Sequence, residues 1–241
     1  MFCCYVSLLK KKPLSFRNKL QYFLVKKLQI SNREAQKLLF EGKVSVDGLV
    51  TAANISVEPE QEIRLENTIL QASKTFKYIA FNKPVGIETT LNKSIDRNIS
   101  QILPFDDVFN VGRLDKASEG LLILTDDGRI YDKILRNENK IEKEYIVKLN
   151  RPLDHLFLGK MRSGVEIMGR MTLPCKVEFV DEYTFRIVLV QGLNRQIRRM
   201  CYKLGYEVTS LCRIRIGNLQ LGDLKSGDWR FFEISQVLKS E

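Results

Sequence analysis

The run Val111-Gly112-Arg113-Leu114-Asp115-Lys116-Ala117-Ser118-Glu119-Gly120-Leu121-Leu122-Ile123-Leu124-Thr125-Asp126-Asp127-Gly128 joins three local signals. A polar loop bounded by Gly112 and Gly120 carries Asp115. An unbroken apolar stretch then runs to Thr125, the pattern of a buried strand. Asp126-Asp127-Gly128 opens a turn or a helix. By itself an aspartate in such a loop is more often a cap or a surface residue than a catalyst, so spacing alone assigns Asp115 no chemistry.

Working outward, the segments 76–81, 143–149 and 185–190 share the apolar, β-branched texture of 120–125, and helical patterns lie between them over 127–135 and 194–204. Strands and helices mixed irregularly predict an α+β domain on a mixed, mostly antiparallel sheet rather than a doubly wound one. This domain is expected over 76–241.

The preceding region has a different rhythm. Leu20, Phe23, Leu24 and Leu28 follow helical spacing, with Lys19, Lys26 and Lys27 between them. Ser31-Asn32-Arg33-Glu34 has the capping-box spacing that starts a second helix, which carries Ala35, Leu38 and Leu39 and stops at Gly42. Val44 to Val50 alternates about Asp47-Gly48, a hairpin signal, and 58–65 reads as a further strand. These pieces make a small helix-helix-hairpin domain over 15–70, preceded by a basic arm, 1–14, that holds Lys10, Lys11 and Lys12.

Composition narrows the partners. The chain has 241 residues, 44% hydrophobic and 28% charged, a balance that folds. Its net charge of +10 attracts polyanions, a necessary condition for binding nucleic acid but not a sufficient one. Five cysteines are scattered without a C-x-x-C pair, and the sole histidine, His155, reads as structural, so no metal cluster or histidine-based triad is expected. No apolar window approaches the roughly 20 residues of a membrane span. The N-terminal charges follow the short apolar run instead of preceding it, which is wrong for a secretory signal, and a cytoplasmic location is expected.

Two resemblances add function. Asn32 to Leu39 with Gly42 to Gly48 resembles the S4 RNA-binding domain. That likeness implies that Arg33, Lys37 and Lys43 lie against RNA phosphates; without it they are a solvated face. The run from Val111 to Gly128 resembles the signature of pseudouridine synthases of the RsuA type, with Asp126 where the family often has asparagine. Three more segments agree in order: Tyr78 to Gly86 with its Lys83-Pro84-Val85-Gly86 turn, Lys143-Glu144-Tyr145-Ile146-Val147, and Gly192 to Met200. The tail through Arg230 is most similar to the RluF branch, which acts on 23S ribosomal RNA and also accepts a tRNA.

The resemblance implies a cofactor-free isomerisation. The N1–C1′ bond of uridine breaks, the uracil turns, and C5 bonds to C1′. Asp115 is the implied nucleophile, attacking sugar or base, or removing a sugar proton on a glycal route. Arg198 is implied as its counter-ion, leaving Arg195 and Arg199 for phosphates, and Tyr145 as the ring that stacks on the target base. Arg113 is expected to fill the space of a flipped nucleotide or grip its phosphate, and Lys83 to touch RNA or serve structure. A monomer acting on structured RNA, with no membrane and no obligate protein partner, is expected. The rivals are a tRNA-directed synthase and a non-catalytic RNA-binding or ribosome-assembly protein.

Overall fold

The computed structural model describes residues 16–136 and 141–238, so the basic arm over 1–14 lies outside the described residues. The chain divides after Phe76 into two compact units.

The N-terminal unit opens with α1 (Leu20–Leu28) and α2 (Asn32–Phe40). Ser31 and Glu34 complete the capping box: Ser31 Oγ accepts from the Glu34 amide at 3.2 Å, and the Glu34 carboxylate accepts from the Ser31 amide at 2.8 Å. Strands β1 (Val44–Val46), β2 (Leu49–Val50), β3 (Ile63–Leu65) and β4 (Thr68–Gln71) form an antiparallel sheet in the order β2-β1-β3-β4. Leu20, Leu24, Ala35 and Leu39 pack on Val44, Val46, Ile63 and Leu70, which closes the small core. The strand expected over 58–65 is shorter. Glu58 and Gln61 bond to each other, amide to side chain at 3.0 Å and amide to carbonyl at 3.1 Å, and this turn holds the chain off the sheet until Ile63.

The C-terminal unit contains β5 (Tyr78–Lys83), β6 (Phe109–Val111), β7 (Glu119–Thr125), α3 (Arg129–Leu135), β8 (Lys143–Leu149), α4 (His155–Ser163), β9 (Glu166–Ile167) and β10 (Arg170–Met171). It continues with β11 (Lys176–Asp181), β12 (Thr184–Leu189), α5 (Gln196–Lys203), β13 (Val208–Ile216), β14 (Leu219–Gln220) and β15 (Trp229–Phe231). The large sheet runs β11-β12-β8-β13-β7-β5-β15, with β6 added to β7 and β14 to β13. It is antiparallel except where β7 meets β13. His155 opens α4 with its side chain exposed; Asp154 caps that helix, accepting from the Phe157 amide.

One lateral row of this sheet matters most. Lys83 pairs with Gly120, Gly120 with Arg213, Arg213 with Tyr145, and Tyr145 with Ile187. Residues opposite one another project to the same face, so the row brings Lys83, Arg213 and Tyr145 together although they come from three distant segments. Gly120 makes the row possible. Its φ is +103°, and a Cβ there would meet the Arg213 carbonyl oxygen and lie 2.6 Å from the Arg213 nitrogen. Only glycine permits that approach.

Candidate active site

The loop from Gly112 to Ser118 joins β6 to β7 and is pinned from three directions. From the segment after β5, Thr89 Oγ1 donates to the Leu114 carbonyl at 2.7 Å and accepts from the Leu114 amide at 3.2 Å, while the Gly86 amide donates to the Lys116 carbonyl at 2.7 Å. From within the loop, the Ser118 amide donates to the Asp115 carbonyl at 2.9 Å. From α5, Arg198 Nη2 donates to the Ala117 carbonyl at 2.7 Å and to Ser118 Oγ at 3.2 Å. Leu114 and Ser118, on either side of Asp115, are both buried, while the Asp115 side chain keeps 30% of its exposure. The flanks are fixed and the carboxylate faces outward.

Among the described residues the cation nearest that carboxylate is Arg195. Its Nη1 stands 3.7 Å from Asp115 Oδ2. This differs from the expectation that Arg198 makes the pair and Arg195 meets phosphate. Arg195 occupies the N-cap of α5 with φ +50°, a left-handed turn at the position from which the chain enters the helix. Arg198, one turn on, spends its guanidinium on the loop backbone and on the Val208 carbonyl at 3.0 Å. Burial, and then Arg195, lower its pKa, an effect that Asp115 opposes. Arg198 therefore feels Asp115 through space while touching its neighbours.

Of the two readings of Lys83, an RNA contact or a structural role, its surroundings fit the structural one. It is completely buried, with Nζ donating to the carbonyls of Pro84 at 2.7 Å and Ile87 at 2.8 Å. Desolvation lowers its pKa to about 8, against the pull of Glu88, Glu119 and Asp115. It is a structural cation beneath the aspartate loop. Arg213 is also buried, its Nε donating to the Leu121 carbonyl at 2.6 Å. Nη2 of Arg213 and Nε of Arg198 are buried with no acceptor among the described residues.

Tyr145 is half-buried against the core of Val147, Phe185 and Ile187. Arg113, two residues before Asp115, is exposed. Arg199 is exposed and braced by Asn194, through its carbonyl at 3.1 Å and Oδ1 at 3.2 Å. In the N-terminal unit Arg33 is exposed, and Lys37 and Lys43 share Glu41 at 3.7 Å and 3.0 Å. Thr89, Ser118 and Arg213 were not expected from sequence. Thr89 follows the Lys-Pro-x-Gly turn closely, but its partner lies 25 positions away, and no local pattern marks such a bond.

A carboxylate on a loop pinned from three directions, with an arginine beside it, stands in a domain whose family is recognisable. The model of the RNA pseudouridylate synthase family matches residues 77–203. The chain belongs to that family and is an RNA pseudouridine synthase, an isomerase of uridine. Within it the chain stands with the RluF type: it is 41% identical over 203 residues to the dual-specificity RNA pseudouridine synthase RluF of Escherichia coli K12, covering 83% of this chain and 70% of that one. The ribosomal large subunit pseudouridine synthase E of Vibrio parahaemolyticus is 36% identical, with 66% and 74% covered. A crystal structure of a pseudouridylate synthase superposes with a TM-score of 0.64 at 27% identity, covering 90% of this chain and 97% of that one.

Proposed function

We propose that this enzyme isomerises a specific uridine in 23S ribosomal RNA, with Asp115 as the nucleophile. The observation that carries the reading is the aspartate loop itself: its backbone is fixed on both sides while the carboxylate remains reachable and paired with Arg195. An arginine this close orients the carboxylate for attack. Tyr145 supplies the ring for the extruded uracil, and Arg113 takes the place or the phosphate of the flipped nucleotide. Arg195 is the direct counter-ion, and Arg198 holds the loop.

The N-terminal unit is read as an S4-like module that steers RNA through Arg33, Lys37 and Lys43. The enzyme acts in the cytoplasm as a monomer. The ribosomal target rests on the large-subunit enzyme among its relatives; the dual specificity named for another keeps tRNA as the second substrate.

Asp115→Asn is expected to lower pseudouridine formation by at least about three orders of magnitude, with RNA affinity and melting temperature unchanged. Full activity in that variant sinks the nucleophile assignment. Mapping pseudouridines in total RNA from cells with and without the protein tests the target. Loss of a 23S site supports it, and loss confined to tRNA overturns it.

A further inference from the structure

A groove of about 620 Å³ opens between α5 and the β9–β10 hairpin, starting at Arg195 beside the aspartate loop and running to Tyr206. Its α5 wall carries Arg195, Arg199 and Lys203, spaced i, i+4, i+8, so the three cations rise along one face of the helix. Their steps of about 6 Å are of the order of the step from one phosphate to the next in an RNA strand. Tyr202 sits beside them with 77% of its surface exposed. Its ring is therefore open to a stacking partner. Glu166 and Glu207 also line the groove, so anion attraction is concentrated on the helix wall.

We propose that this groove holds the single-stranded RNA segment adjoining the target uridine, with phosphates on Arg199 and Lys203 and a base stacked on Tyr202. The proposal rests on the RNA-modifying activity and names where the strand leaves the site. Arg195, at the groove's near end, is already engaged by Asp115, so the rail proper begins at Arg199. Asn194 braces that guanidinium and leaves three of its five N–H donors uncommitted. The volume suits one or two nucleotides and is too small for a duplex. Cations at fixed intervals with an interleaved aromatic ring are the arrangement by which single strands are held without reading sequence.

The test is a fluorescence-anisotropy titration of the full chain with a short labelled single-stranded RNA across a series of KCl concentrations. The double variant Arg199→Gln/Lys203→Gln is expected to shallow the slope of log affinity against log salt by about 1.4, from about 0.7 per phosphate released. Tyr202→Ala is expected to weaken binding about fivefold or more, the effect of losing one stacked base. Lys160→Gln, an exposed lysine on α4, serves as the control and is expected to leave the slope unchanged. The proposal is overturned by an unchanged slope in the double variant, an equal change in the control, or unchanged affinity in Tyr202→Ala. Pseudouridine formation by the unsubstituted protein is measured separately; its absence defeats the proposed activity, whereas the salt slopes decide the groove.

Discussion

The two units of this chain treat polar groups in opposite ways. Among the described residues the N-terminal unit buries only apolar side chains, and Lys37 and Lys43 meet Glu41 at its surface. The C-terminal unit buries Lys83, Thr89, Ser118 and Arg213, all packed around or beneath the aspartate loop. A unit that only has to present charge needs an apolar core and a stable surface. A unit that must hold a carboxylate in one position needs hydrogen bonds inside, and each carries a desolvation penalty that its partners must offset.

The sharpest way to break this contrast is at Gly120. Gly120→Ala forces a methyl group against the Arg213 backbone at a φ that L residues avoid, and is expected to destabilise the C-terminal unit by about 3 kcal/mol or more. Trp229 is the only tryptophan of the chain and lies in this unit, so its fluorescence during denaturant unfolding reads the effect there. A midpoint like that of the unsubstituted protein would mean that β7 and β13 have room to separate.

Alkaline pH distinguishes the units by sign. Lys83 and Lys143 are both held near a pKa of about 8 by desolvation, against an ordinary 10.5. Between those values the unfolded chain keeps protons that the folded one has released, so the C-terminal unit gains stability as pH rises, by at most ~3 kcal/mol for each lysine. Lys43 shifts the other way, raised chiefly by its bond to Glu41; its contribution is present below the unfolded lysine pKa and fades as pH climbs through the higher folded one. Unfolding followed at Trp229 over that range is expected to show the rise, and Lys83→Met to reduce it by about half, Lys143 keeping the rest.

Two milder changes separate positioning from stability. Thr89→Val keeps the shape but removes both bonds to Leu114, and is expected to lower kcat about tenfold with KM for RNA unchanged. Thr89→Ser restores it. If Val and Ser behave alike, the hydroxyl does not set the loop. In the other unit Ser31→Ala removes the helix cap and is expected to cost about 1 kcal/mol in hydrogen-exchange stability of α2, leaving kcat untouched.

What the sequence discloses follows the same divide. The capping box at Ser31 and the hairpin at Asp47-Gly48 are local devices whose partners lie within a few residues, so both are legible in a single stretch. Tyr145 and the arginine-rich helix are locatable by resemblance, and their strand and helix appear where the apolar pattern puts them. The choice between Arg195 and Arg198 is not legible, because adjacent arginines look alike until the αL turn at residue 195 aims one at the carboxylate. The two readings of Lys83 stay open in the sequence for a similar reason. A lysine before proline carries no local mark of burial, and the carbonyls of Pro84 and Ile87 make its burial tolerable.

The parallel contact between β7 and β13 also sets an order in time. Asp115 is translated early in its unit, yet the bond from Arg198 to Ala117 spans 81 positions and that from Arg213 to Leu121 spans 92. Contacts this distant in sequence form late, after the loop-closure entropy has been overcome. A growing chain thus carries its carboxylate well before the residues that steady it. The bond from Arg213 to Leu121 can close only when β13 lies between β7 and β8, so the far end of the chain completes the surroundings of the loop.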